Sequence, residues 1–368
     1  MSAPAQLQLL DGIGNALEEL LLAGTTTASQ ATQRTLAAAF EEASRARFLR
    51  LGSTLRLVLE ELKRFDAAPE RFSGARLAFF VDRAWLLARA TARALADGDG
   101  AALARLNATP AQVRCESLQV ATLGVHRRHV PGAFSAFEFR LRVAAPALLG
   151  DGRTLDVGTP LVYALVFPAA ADAKVPPEAM LALPQKQGFR PSELLDRKLA
   201  TISGAQLGGG PPLRVTLLPE SRIEFGAAAS DWRALAACDA DGWRARIAAH
   251  RPDPLELAVE FADELLLPQW RLAGEFAPCD APGRESELEA PLDALGCRFA
   301  LRVDAAQPAL AQQLAAASSS ALYAGVHLEY GRQVLTPLAL LGEAPEYLGI
   351  DPKKFDRAAL VRALNVRG

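Results

Sequence analysis

His126 and His129 flank Arg127 and Arg128, a His-x-x-His spacing. Two imidazoles so placed share a metal ion only on a helical or turned backbone, and the remaining ligands must come from elsewhere. The other histidines, His250 and His327, have no ligand neighbours, so a solvated loop is the better reading of this stretch. Serine or cysteine nucleophiles have no GxSxG elbow and few possible bases. Gly208-Gly209-Gly210 runs into Pro211-Pro212 without a following Lys-Ser/Thr, which makes it a connector and not a phosphate loop. Gly12-x-Gly14 lies inside a helical pattern with no strand before it and fails the context test of a dinucleotide fingerprint. Glu41-Glu42 and Glu60-Glu61 are adjacent pairs, which do not share a helical face. No catalytic, metal or cofactor residue is expected, and the sequence leans away from an enzyme.

Arginine is the other chemistry on offer. Arg140, Arg142 and Arg302 are expected to project from the open faces of two related strands, with Arg127 and Arg128 nearby; these five are the candidate surface contacts. A sheet that interleaves arginines with aromatics can hold single-stranded nucleic acid. Here Phe137, Phe139 and Phe299 fall on the opposite, buried face, which removes the stacking platform. The 34 arginines against 6 lysines read as GC-rich codon usage, and the net charge of −2 shows no basic bias. Protein partners are therefore favoured, with nucleic acid as the alternative.

The elements that must position these residues divide into two kinds. Residues 1–110 carry apolar side chains at helical spacing (Leu9, Leu10, Ile13, Leu17, Leu20, Leu21) and read as a helical bundle. One long helix interrupted at Gly52 is expected to be followed by another whose Phe79, Phe80, Trp85 and Leu86 bury against Leu55, Leu57 and Leu59. Beyond Pro110 the period becomes that of strands. "FEFRLRV" alternates strictly, "PLVYALVFP" is a continuous strand, and "LRVTLLPESRIEF" reads as a hairpin or two short strands. A helix over 231–250 precedes further strands at 255–276, 297–303, 322–330 and 333–341, and a last helix opens at Pro352.

At a fixed offset of 160, thirteen of the 64 positions in 137–200 recur in 297–360. The matches pair Tyr163 with Tyr323, Arg142 with Arg302, and Asp196-Arg197 with Asp356-Arg357. This predicts an internal duplication of strand-strand-strand-helix units, with the Asp-Arg pairs structural and each Asp near a helix start. The basic stretch "LPQKQGFRPSELLDRKL" (183–199) is then a helix terminus on a sheet, its charge mostly decoration. The fold class is α+β: a helical domain (1–110), a first β-rich repeat (111–228), and a helix plus second repeat (229–368).

Met1–Pro4 leads into an amphipathic pattern without a signal peptide, and no stretch is apolar enough for a membrane span. The four cysteines are scattered, as in a cytosolic protein with reduced thiols. The segments "TTTASQATQRTLAAAFEEASRARFLRLGSTLRLVLEELKRF" and "LPQKQGF" resemble uncharacterised bacterial proteins encoded beside SWIM zinc-finger proteins, MoxR-type AAA+ ATPases and von Willebrand factor A proteins. The resemblance covers about the first third of the chain plus a short patch. It implies an accessory component of a stress or conflict system and transfers no catalytic residue: the ligands of a SWIM finger and any ATPase loop are absent from this sequence. The expected function is a non-catalytic interaction or scaffold component of a bacterial multiprotein system. The alternatives are a nucleic-acid binder using exposed strand arginines, or an enzyme with a cryptic site.

Overall fold

The structure, a computed structural model, describes residues 2–24, 30–67, 69, 72–107, 112–130, 134–168, 176–209, 212–237, 240–251, 261–281, 284, 286–317, 320–329 and 331–350. The chain is α+β, with an N-terminal helical bundle followed by a β-rich region. It divides into two compact units, the first holding the described residues up to 107 together with Arg251 and the second holding those of 112–250 and 261–350. The expected helix from Pro352, with Asp356 and Arg357, lies outside the described residues.

The helical unit contains α1 (Ala3–Ala23), α2 (Gln30–Arg45), α3 (Leu49–Ala67), α4 (Gly74–Ala96) and α5 (Gly100–Leu106). The long helix breaks at residues 46–48 and not at Gly52. Arg47 adopts φ 62, and the Phe48 amide reaches back to the Ala43 carbonyl. Gly52 instead serves close packing, since a Cβ there would lie 3.0 Å from the Ser44 hydroxyl on α2. On α4 the buried stripe is Leu77, Val81, Ala84, Leu87 and Ala88, at helical spacing. Phe79, Phe80, Trp85 and Leu86 are only half-buried, so the expected face is rotated. On α3, Leu55 is core while Leu57 and Leu59 are half-buried. Trp85 is held by its polar edge, with Nε1 donating to Glu18 at 2.6 Å beside the Arg89 guanidinium. One charge is fully buried here: Glu61 receives Arg76 through two bonds, 2.6 and 3.0 Å, and also pairs with Arg64.

The β unit begins with the longest strand, β1 (Gln112–Val130), then β2 (Phe134–Val143), a small hairpin of β3 (Ala147–Leu148) and β4 (Thr154–Leu155), and β5 (Pro160–Pro168). Two 3-10 turns (Pro177–Ala182 and Pro191–Leu195) lead into β6 (Lys198–Gly208) and β7 (Leu213–Ala228). These close into a barrel in the order β1-β2-β5-β7-β6, with β5 and β7 parallel and every other pair antiparallel. Its interior is Phe137, Phe139, Leu141, Tyr163, Ile202 and their neighbours. β7 is one strand and not a hairpin. At Pro219-Glu220 it kinks without ending, the Ser221 hydroxyl bonding the Gly204 carbonyl and the Leu218 amide.

Then come α6 (Trp232–Ala236) and α7 (Ala240–Ala249), two short helices where one was expected. The second sheet is β8 (Ala262–Leu267), β9 (Trp270–Leu272), β10 (Ala277–Pro278), β11 (Glu287–Ala294), β12 (Cys297–Asp304), β13 (Ala321–Glu329), β14 (Arg332–Leu341) and β15 (Pro345–Tyr347), with α8 (Pro308–Ala316) after β12. β9 pairs β11, followed by β12, β14, β13 and β8. Because β8 and β9 are separated only by Pro268 and Gln269, the sheet curls back on itself. Counting β8–β9 as one broken strand, its order is that of the first barrel, including the one parallel pair, β12 with β14. Five strands in the order 1-2-3-5-4, with the helical connection between the third and fourth, describe the OB-fold.

The offset of 160 does not follow this topology. It lays β2, a second strand, on β12, a third strand, and the 3-10 turn of Pro177–Ala182 on β14. Tyr163 on β5 and Tyr323 on β13 thus occupy different places, as do Arg142 and Arg302. Shared alternation and abundant alanine and leucine produced that alignment. Asp196 also differs from expectation. It follows the 3-10 turn Pro191–Leu195 instead of opening a helix, and Arg197 next to it has φ 62 as the chain swings into β6.

Candidate functional site

The strand register decides where each candidate arginine points. On the first barrel Gly124 faces Arg140, His126 faces Glu138 and Ala121 faces Arg142, all on the side opposite Phe137, Phe139 and Leu141. That side is not open to solvent near Arg142, because the second barrel packs there. Ala121 and Leu123 of β1 join Tyr323, Leu338, Ala339, Leu266 and the α6 residues Trp232 and Leu235 in one apolar cluster. Contact is closest at Gly124, where a Cβ would stand 2.7 Å from that of Leu338 and 3.3 Å from the Tyr323 ring. Only glycine lets β1 approach the second barrel this nearly.

A charge cluster sits in this seam. Arg142 Nη1 lies 2.6 Å from Glu264 Oε2 on β8, and Arg140 Nη1 lies 3.5 Å from Oε1 of the same carboxylate. The Tyr323 hydroxyl donates to Glu264, and the Arg142 guanidinium sits 5.5 Å from the Tyr323 ring centroid. Burial pushes the Tyr323 hydroxyl well above its usual range, so it remains a donor. Arg140 Nη2 bonds Glu138 Oε2 at 2.6 Å, and His126 Nδ1 stands 3.9 Å from that oxygen. His126, followed by Arg140 and Arg128, holds the Glu138 carboxyl down at about 2.

The remaining candidates divide between pairing and exposure. Arg127 bonds the buried Glu178 at 2.5 Å and reaches Asp304 on β12 at 3.4 Å. Arg302 lies 2.8 Å from Glu289 and pairs with Glu329, which also receives Arg284 at 3.0 Å. Arg128 is exposed on the outer face of β1. The expectation of open-face arginines is therefore corrected for Arg140, Arg142 and Arg302, and the candidate surface contact Arg127 is covered as well. Arg142 and Arg302 retain only 6% and 5% exposure, and Arg127 and Arg140 are largely covered and paired. Alternation identified the outer face of each strand but not what covers it. Tyr163 points into the first barrel against Phe139 and Phe189, and burial raises its hydroxyl. Asp196 and Arg197 are both exposed.

Sequence reasoning missed Glu264, Glu138 and Gly124. The available signal was Glu264 itself, an acid opening the apolar run "ELLL". Such a residue is kept in a buried strand only with a partner.

Chemically the arrangement neutralises charge. Among the described residues no group of three or more His, Cys, Asp and Glu side chains is placed to hold a metal ion. Two surface grooves are open. One, on the helical unit, runs past Arg50, Arg93, Asp97 and Arg105, and the other runs between β12 and β14 of the second barrel. Neither brings together a nucleophile, a base and an orienting group. Among the described residues, no helix is long and apolar enough to cross a membrane.

No family model matches the chain, and no curated protein matches it. Among solved structures, the chain is similar to the Ifi202 HINa domain, solved in complex with 20 bp dsDNA, at 9% identity and a TM-score of 0.30. That likeness covers 64% of this chain and 100% of the other. It is also similar to a Replication Protein A heterotrimer bound to ssDNA, at 9% identity and a TM-score of 0.25, covering 71% of this chain and 53% of the other. At these scores the likeness is too distant to carry an assignment.

Proposed function

We propose that the protein is a non-catalytic binding component, a bacterial, cytoplasmic accessory protein whose paired barrels dock a partner protein within a larger assembly. One observation carries this reading: four of the five candidate arginines are spent on carboxylates of the same chain, Arg140 and Arg142 across the barrel seam and Arg127 and Arg302 chiefly within their own barrels. An assembly of the AAA+-associated kind is the setting that the N-terminal resemblance implies.

Nucleic-acid binding is the second reading, and the strand order favours it. OB barrels take up oligonucleotides along their second and third strands and the flanking loops. Arg128 at the end of β1 and Val166 on the outer face of β5 are exposed near that surface on the first barrel.

Affinity isolation of the tagged full chain from its host, with and without nuclease treatment, separates the two. Partner proteins that co-purify at constant ratio after nuclease treatment support the first reading. Recovery that collapses with nuclease contradicts it.

A further inference from the structure

We infer that the open wedge between β12 and β14 is a docking groove for an extended, uncharged segment of a partner protein; this rests on the binding reading above. The two strands are parallel but pair only at Ala300–Val334 and Leu301–Leu335. Before that point Cys297–Phe299 pair only with β11, and Arg332 and Gln333 only with β13. A groove separates them, with Pro291 and Ala300 along it and Arg298 and Arg332 on its sides.

Three features fit an extended polypeptide. Two strand edges that face a gap offer main-chain groups to an added strand. The Gln333 side-chain oxygen on the groove wall is buried without a hydrogen-bond partner, an acceptor suited to an amide N–H. The flanking charges are already balanced, Arg298 by Asp293 and Arg332 by Glu289, so a polyanion gains little and meets two carboxylates.

The test selects a phage-displayed library of 12-residue peptides on the immobilised full chain and remeasures the winners on variants. Ala300→Trp and Arg298→Trp should each fill the groove and weaken binding more than 10-fold. Gln333→Ala should weaken it several-fold, and Arg271→Ala, on the exposed side of β9, should leave it unchanged. Bound peptide should slow amide exchange in 297–300 and 332–335, and a normal melting curve for Arg298→Trp covers the case in which Ala300→Trp fails to fold. Peptides indifferent to both Trp variants would overturn the groove while leaving the binding reading intact. Failure to enrich any peptide, with capture of a 20-nucleotide oligo-dT instead, would overturn both.

Discussion

The Arg142 guanidinium and the Glu264 carboxylate stand 2.6 Å apart, and they come from different barrels of the β unit. Neither charge is hydrated by more than a sliver of surface, so each depends on the other. Glu264→Ala leaves Arg142 buried without its main counter-charge and should destabilise the β unit by about 3–5 kcal/mol. The paired change Arg142→Met with Glu264→Leu should recover part of that loss, because the two apolar groups need no partner while the Tyr323 hydroxyl and Arg140 still lose their acceptor. Urea denaturation of Glu264→Ala, of Arg142→Met and Glu264→Leu singly, and of the pair measures both, and simple additivity of Arg142→Met with Glu264→Leu would show that the residues are not coupled.

Gly124 and Gly12 should respond in opposite directions to the same substitution. Gly124→Ala drives a methyl to 2.7 Å from Leu338 Cβ in the seam and should cost about 1–3 kcal/mol. Gly12→Ala, in the exposed face of α1 with open space around it, should gain up to about 1 kcal/mol. Thermal melts of the two variants decide this; equal shifts would mean that the seam is not tightly packed.

Acid should act through Glu138. Its folded-state pKa, held at about 2 chiefly by His126, lies below the unfolded value near 4.5, so the carboxylate form favours the fold. The contribution is fully present above pH 4.5 and is lost as pH falls from there toward 2. His126→Ala should flatten the acid limb of a stability-against-pH curve over that window. An unchanged limb would assign acid sensitivity to other groups.

In the helical unit, Arg76→Ala removes both of that residue's bonds to the fully buried Glu61 and, among the described residues, leaves it the pair with Arg64. The expected loss is about 3 kcal/mol, and Glu61→Gln in the Arg76→Ala background should restore part of it. Guanidinium denaturation followed by far-UV circular dichroism checks both.

Much of this architecture was legible in residue spacing. The helical period of 1–110 identified a bundle, though with the buried face of α4 rotated, the alternation of Phe137–Val143 identified that strand's inner face, and Pro160–Pro168 was bounded to the residue. What spacing does not encode is which strands become neighbours. The step from β5 across to β7, and the covering of Arg142 by a strand more than 120 residues away, depend on closure of the barrel. β6 was hidden because "SELLDRKLA" has helical character locally, whereas the structure spends it on a 3-10 turn and the start of a strand. The candidate arginines were found by type, but their purpose was set by Glu264, Glu178 and Glu289, each distant in sequence.

The central claim is that Arg140 and Arg142 hold the barrels together and are not available to phosphate. Fluorescence anisotropy of a labelled 20-nucleotide oligo-dT with the full chain, at 50 and 200 mM salt, tests it most directly. The account predicts association no tighter than the non-specific range of about 10⁻⁴ to 10⁻⁶ M, unchanged by Arg140→Ala. Sub-micromolar binding that falls steeply with salt and is lost on replacing Arg128 and Arg140 would contradict it.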